Sequence, residues 1–175
     1  PLHQVRLEVT QKVVVVGGGV AGMEAALGVA DQGLQVYLVE RGDQLGGVAH
    51  KLRSTWQGEP VKPYLEDLTA KVRNHEHIRT FMKTEPVETT GIMGNFTTTL
   101  MTSGESLTET VVEHGATIIA TGGKEYTPSE YLYGQNPQGL THFDLDAAME
   151  SDDPRLTTAQ SVAYIQCVGS RTVER

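Results

Sequence analysis

A single cysteine, Cys167, rules out an internal disulfide and with it a disulfide-stapled secreted scaffold. Long apolar runs are also missing. The run Val13-Val14-Val15-Val16 is strand-sized and falls far short of the ~20 residues that a membrane span needs. Residues 1–12 carry His3, Arg6, Glu8 and Lys12 and no apolar stretch, so no signal peptide is expected. Basic side chains are few: 14 lysines and arginines against 22 aspartates and glutamates leave a net charge of −8. Such a chain is poorly suited to gripping nucleic-acid phosphates. The six histidines lack zinc-site spacing and have no cysteine pairs beside them. Asp144, Asp146, Glu150, Asp152 and Asp153 lack the glycine and terminal glutamate of a calcium loop and read as a solvated helix face. No Gly-x-Ser-x-Gly elbow occurs, and the sequon Asn95-Phe96-Thr97 has no sign of export beside it.

Glycine is in excess, at 19 of 175 residues, or about 11% against a usual level of about 7%. After a lead-in over residues 1–12, Val13–Val16 reads as a parallel strand covered on both faces. Val20, Met23, Ala26, Leu27 and Ala30 recur at helical spacing and predict a helix over 20–31, stopped by Gly33. Residues 34–40 predict a second strand, completing a right-handed βαβ unit. A loop over 41–47 ends in Gly46-Gly47. Val61, Tyr64, Leu65, Leu68 and Val72 then form one apolar stripe on a second helix, with Pro63 in its first turn. Strands are expected at 78–82 and 86–90. Residues 95–102 and 107–112 suggest a half-exposed antiparallel meander, with Gly91, Gly94 and Gly104 at turns. Residues 116–120 read as a buried-type strand leading into Thr121-Gly122-Gly123. A polar loop runs from there to Gly139. Thr141 and Asp144 form a capping-box pattern that opens a helix through about Met149, and 161–168 read as a last strand.

The motif Gly17-x-Gly19-x-x-Gly22, with Ala21 inside it, lies between a strand and a helix. There Gly17 permits a tight turn, Gly19 lets backbone approach a pyrophosphate, and Gly22 allows close helix packing. The ligand's charge meets unpaired amides and the helix dipole. Glu40, closing the second strand, stands at the distance expected of a carboxylate that accepts a ribose diol. A glycine-rich turn without a ligand is the alternative that one fingerprint leaves open. Arg41 suggests a 2′-phosphate, which the neighbouring Glu40 would repel, so a diol ligand fits better. Its own role stays open between a solvated side chain and a contact to the adenosine end. Cys167, on an apolar run, reads by itself as a small buried hydrophobe.

The meander excursion, the Gly46-Gly47 loop and the Ala120-Thr121-Gly122-Gly123 turn resemble the FAD-binding half of flavoproteins with two dinucleotide-binding domains. Several stretches resemble, more narrowly, the A-type subunits of the heterodisulfide reductase family. They are Val16 to Ala26, Asp31-Gln32-Gly33, Val36 to Arg41, Gly94 to Thr97, His114 to Tyr126, Tyr133-Gly134 and Ile165 to Arg171. The resemblance spans nearly the whole chain. It implies an α/β, three-layer Rossmann-like FAD-binding domain with an inserted antiparallel β-meander. Residues 1–175 would form a single FAD/NAD(P)-binding domain fragment: 13–82 the βαβ part, 86–115 the meander, and 116–175 the return to the sheet. FAD is the implied cofactor. Gly46 and Gly47 would lie along its pyrophosphate and flavin side, the Val87 backbone would meet adenine, and Thr121 and Gly122 would close over it. The resemblance implies a cytoplasmic subunit, whose flavin passes electrons between iron–sulfur clusters and the other subunits of an electron-transfer complex. By the same resemblance, Cys167 is a free thiol here and a 4Fe–4S ligand in a full-length parent, since cluster ligation needs several thiolates. Residues 48–60 have none of the cysteines that some members carry there. No catalytic side chain is nominated, because the flavin carries the chemistry. A nicotinamide-binding dehydrogenase domain and a ligand-free scaffold are the rival readings.

Overall fold

Unbroken β-branched runs survive in a sheet only when both faces are covered. The computed structural model describes residues 8–170, so residues 1–7 of the lead-in and Arg171 lie outside the described residues. Along the chain run β1 (Lys12–Val16), α1 (Val20–Ala30), β2 (Gln35–Val39), α2 (Val61–Asn74), β3 (Ile78–Phe81), β4 (Thr84–Ile92), β5 (Asn95–Thr102), β6 (Thr108–His114), β7 (Ala116–Ile119), α3 (His142–Glu150) and α4 (Pro154–Thr158). A 3-10 turn, Gly47–Lys51, follows the double glycine. The chain divides into two compact units, one of Pro1–His50 with Lys62–Gly122, the other of Lys51–Val61 with Gly123–Arg175.

The first unit has a parallel sheet in the order β3-β2-β1-β7 and an antiparallel meander in the order β4-β5-β6. Alternation along the strands assigns the layers. Val13, Val15, Val36 and Leu38 meet Met23, Ala26 and Ala30 of α1 and Leu65, Leu68 and Val72 of α2. Val14, Val39 and Phe81 turn the other way, onto Leu100 of β5 and Val112 of β6. Helices, parallel sheet and meander therefore make three layers, as the sequence suggests. Burying each large side chain contributes about 1.5–3 kcal/mol. The described part of the lead-in straps the meander: Thr10 N donates to Gly94 O at 2.9 Å, and Asn95 Nδ2 donates to Glu8 O at 2.7 Å.

The second unit is held mainly by polar contacts. The Thr141 hydroxyl accepts from Asp144 N, and Asp144 Oδ2 accepts from Thr141 N at 2.9 Å and from the Tyr133 hydroxyl at 2.8 Å, which makes the expected capping box. Arg155 pairs with Asp153 at 2.7 Å and donates to Pro137 O at 2.7 Å. Arg53 N donates to Asp146 Oδ2 at 2.8 Å, and Lys51 stands over the Phe143 ring.

Four expectations are corrected. Residues 161–166 are irregular and exposed instead of forming a strand, because the described part of their unit contains no strand to pair with them. Residues 116–119 do form a strand, but it is the sheet's edge and leaves Ile119 69% exposed. Gly91 lies within β4 beside the hairpin turn, where a Cβ would stand 2.2 Å from Asn95 O. Tyr64 leaves the buried stripe of α2 at 47% exposure because its hydroxyl donates to Glu24 Oε1 at 2.7 Å.

Candidate functional site

Four parallel strands end at one edge of the sheet, and the glycine turns follow three of those ends. The order β3-β2-β1-β7 places the strands that continue from β1 through α1 on one side and β7 on the other. In open α/β sheets, the carboxyl ends at such a reversal line the ligand crevice.

At the end of β1, Gly17 N donates to Val39 O at 2.8 Å, and the backbone turns with a φ of +110°. A Cβ on Gly17 would lie 2.2 Å from Ala120 O, and one on Gly22 would lie 1.8 Å from Gly17 O. These two glycines are required by the packing of α1, β1 and the turn after β7, with or without a ligand. Gly19 is different. A Cβ there would meet nothing within 4 Å, and its backbone is extended, at φ −74° and ψ −179°. The protein's own packing leaves room for a side chain that the sequence does not supply. No side chain among the described residues caps α1, and its first turn holds no acidic residue. The amides of a first helical turn, which include those of Ala21 and Gly22, lack partners inside the helix and attract anions.

The second glycine pair closes onto the first. Gly46 N donates to Gly18 O at 2.7 Å, Gly46 forms a bridge with Gly19, and a Cβ on Gly47 would lie 3.2 Å from Gly19 Cα. Gly46, at a φ of +118°, is covered by His50, whose Nε2 donates to Leu45 O at 2.6 Å. Sequence reasoning missed His50, because a lone histidine in a loop carries no signal for a contact set by the fold of that loop.

Glu40 does more than close a strand. Its Oε2 accepts from Gly18 N at 2.7 Å and its Oε1 from Gly42 N at 2.6 Å. The carboxylate thus braces the fingerprint turn against the loop after β2. Each oxygen retains a second acceptor site, so a hydroxyl donor can still bind. Backbone bonds from Glu40 N to Phe81 O and from Thr84 N to Glu40 O tie the same residue to β3 and β4. Three residues into β4, Val87 is the extra residue of a β-bulge between Pro86 and Glu88 and is 58% exposed. Arg41 is exposed and makes no hydrogen bond or ion pair with the described residues. Thr121 and Gly122 are exposed beyond β7, and Thr121 N lies near the position that a Cβ of Gly17 would take.

The candidates Gly17, Gly19, Ala21, Gly22, Glu40, Gly46, Gly47, Thr121 and Gly122 thus gather at the carboxyl ends of β1, β2 and β7. Cys167 belongs to the other unit. It is an exposed free thiol in a turn with a φ of +57°, where Ser170 Oγ donates to its carbonyl at 2.9 Å. Among the described residues, no group of three potential metal ligands forms. A cleft of about 660 Å³ lies in the second unit, lined by residues that include Tyr133, Asp144 and Arg155. The charged groups at its wall bond to neighbours of their own. No described helix is long and apolar enough to cross a membrane.

Comparison with known proteins agrees with this geometry. The chain is 31% identical to a protein of Archaeoglobus profundus described as like the A-type subunit of heterodisulfide reductase, over 98% of its own length and 24% of that protein's. Over 54% of the chain it is 37% identical to an iron-sulfur subunit, of the A type, of the CoB–CoM heterodisulfide reductase of Methanopyrus kandleri, covering 14% of that protein. It therefore spans about a quarter or less of these relatives. Among solved structures, L-proline dehydrogenase from P. horikoshii superposes with a TM-score of 0.54, at 26% identity, over 70% of the chain and 25% of that structure. The family model described as FAD dependent oxidoreductase matches residues 12–128, which contain every glycine turn of the site, and the chain belongs to that family.

Proposed function

We propose that this chain supplies the dinucleotide-binding part of an FAD-dependent electron-transferring oxidoreductase similar to the A-type subunits of heterodisulfide reductase, working in the cytoplasm with other subunits of an electron-transfer complex. The observation that carries the reading is Gly19. It stands at an uncapped helix start with open space where a Cβ would be, beside two glycines that packing alone explains. A pyrophosphate needs this combination of an unobstructed backbone and unpaired amides.

In this reading Gly17, Gly19, Ala21 and Gly22 hold the pyrophosphate, and Gly46 and Gly47 extend that floor toward the flavin. Glu40 accepts the ribose hydroxyls through its remaining lone pairs, while Arg41 is free to approach the adenosine end. The bulge at Val87 frees backbone groups for the adenine edge, and Thr121 and Gly122 border the flavin side. Bound FAD would supply two-electron and one-electron transfer; the residues named here bind and orient it. Cys167 is one thiolate of an iron–sulfur cluster in the longer protein, with the remaining ligands outside the described residues.

The test is Gly19→Ala, measured by FAD titration and by thermal melting. Melting without ligand should stay within about 0.5 kcal/mol of the parent, as expected where substitution meets no neighbour. FAD affinity should fall by about tenfold or more, because the new methyl occupies the phosphate approach. Unchanged FAD affinity would refute the reading, and so would a wild type that binds NAD but not FAD. Iron content that survives Cys167→Ser in the full-length protein would remove the cluster assignment alone.

A further inference from the structure

One buried ionisable group lies in the first unit outside the glycine turns. His114 ends β6, is 0% exposed and stacks on Phe96 with ring centres 5.6 Å apart. Its Nδ1 lies 3.0 Å from Ala116 O, and its Nε2 lies 2.7 Å from Thr98 Oγ1. A carbonyl can only accept, so Nδ1 carries the proton and Nε2 is the acceptor. Thr98 must then donate to the ring. Its oxygen stands 2.8 Å from that of Thr89, which is exposed on β4 and donates in turn.

The hydrogen bonds therefore run in one direction, from the Thr89 hydroxyl to Thr98, from Thr98 to His114, and from His114 to the β7 backbone. This chain crosses all three meander strands and ties them to the parallel sheet. Glu88 pairs with Thr99 at the edge of the bulge that projects Val87, and Thr89 pairs with Thr98 one step further on. A second proton on the ring would make both nitrogens donors. Thr98 and Thr89 would have to reverse, and a charge would be placed in a fully buried site. Among the described residues, the groups bonded to or stacked on the ring are Thr98 and Phe96 from β5 and Ala116 and Thr117 from β7, none of which ionises. The charged side chains of the adjoining strands, Lys12 on β1, Glu85 and Glu88 on β4, and Glu109 and Glu113 on β6, make no bond with it.

We propose that His114 is a positioning residue for the cofactor site: in its neutral form it orders the Thr98–Thr89 chain that fixes the Val87 bulge, and acid loosens the bulge and the bound dinucleotide together. The proposal rests on the FAD reading above. Burial holds the ring below the ordinary histidine value, opposed by the Ala116 carbonyl, so the ordered form is the one present at neutral pH.

The experiment measures FAD dissociation by flavin fluorescence in the full-length protein, at about pH 7.5 and about pH 5, on either side of the ordinary histidine value. Ring-nitrogen NMR of His114 is recorded alongside. The neutral wild type should show the Nδ1–H tautomer. Its dissociation constant should rise on acidification by about tenfold for each unit by which FAD binding displaces the His114 value. His114→Gln should bind FAD more weakly at neutral pH and lose that dependence. Thr89→Val, at an exposed strand position, should show the same change in smaller measure, and it decides the matter if His114→Gln does not fold. An Nε2–H tautomer, or variants that keep the wild-type pH profile, overturn the positioning role while FAD binding stands. A wild type that binds no FAD at either pH overturns the FAD reading as well.

Discussion

The two units handle their apolar residues in opposite ways. The unit carrying the glycine turns holds Val14, Val15, Met23, Val36 and Leu38 at 1% exposure or less. The other leaves Trp56 92%, Val162 85% and Tyr164 61% exposed and relies on caps, an ion pair and a backbone-anchored arginine. Both contain runs that read in sequence as strands, 13–16 and 34–40 in the first and 161–168 in the second. What separates them is whether a second surface arrives to receive the apolar face. In the first unit α1 and α2 cover one side of the sheet and the meander covers the other. In the second, no strand among the described residues lies beside 161–166, and an isolated strand has nothing to hold it.

That contrast can be broken experimentally, starting with the strongest effect. Leu38→Ala, at the centre of the helix-facing core, should destabilise the protein by about 2–5 kcal/mol in denaturant unfolding. A loss under about 1 kcal/mol would mean that the first unit is less well packed than described. Glu40→Gln keeps the side chain's size but cannot accept two amide hydrogens through two carboxylate oxygens. It should cost about 2 kcal/mol even without cofactor, the value of hydrogen bonds to a charged group. If only FAD affinity changes, the carboxylate is a ligand contact and not a brace.

Thr141→Ala removes the cap of α3 and should cost about 1 kcal/mol. The same change should alter behaviour in acid. The backbone amide of Thr141, above all, holds the Asp144 carboxyl below its ordinary value, with smaller help from Tyr133, the Thr141 hydroxyl and Arg155 and against the effect of burial. A depressed carboxyl value adds stability above about pH 3.9, which is lost as pH falls through the folded value. Thr141→Ala keeps that amide and removes only the smaller share of the hydroxyl, so it should flatten the stability loss in that window only slightly. His114 acts in a different window. Its depressed value means that acid begins to cost stability below about pH 6.5, where the unfolded chain starts to take up a proton that the folded chain refuses. The smallest effect belongs to Ile165→Ala, which should stay within about 0.5 kcal/mol because the side chain is already 48% exposed. A large loss there would show that the second unit has a core after all.

The βαβ unit, the meander and the capping box were legible because each is specified locally. A β-branched run, a 3.6-residue stripe and a Thr-x-x-Asp cap leave their marks within a few positions. Gly17, Gly22 and Glu40 were readable in the same way, since their spacing follows from one turn and one crossover. The edge position of β7, the exposure of Tyr64 and the irregular path of 161–166 were not. Each depends on what stands next to the segment, and an apolar run has the same sequence whether or not a neighbour covers it. Gly19 was legible as part of a pattern, but the open space that distinguishes it from Gly17 and Gly22 was not.

By itself, then, the sequence determined the order of strands and helices from β1 through α3, the glycine turns at the strand ends, the carboxylate after β2 and the acidic surface, because periodicity and turn chemistry act over a few residues. Tertiary structure alone decided that Glu40 clamps two backbone amides, that His50 covers Gly46, and that His114 lies buried between the meander and the sheet. Those contacts join residues from 2 to 22 positions apart, and only the closed chain brings them within hydrogen-bonding distance.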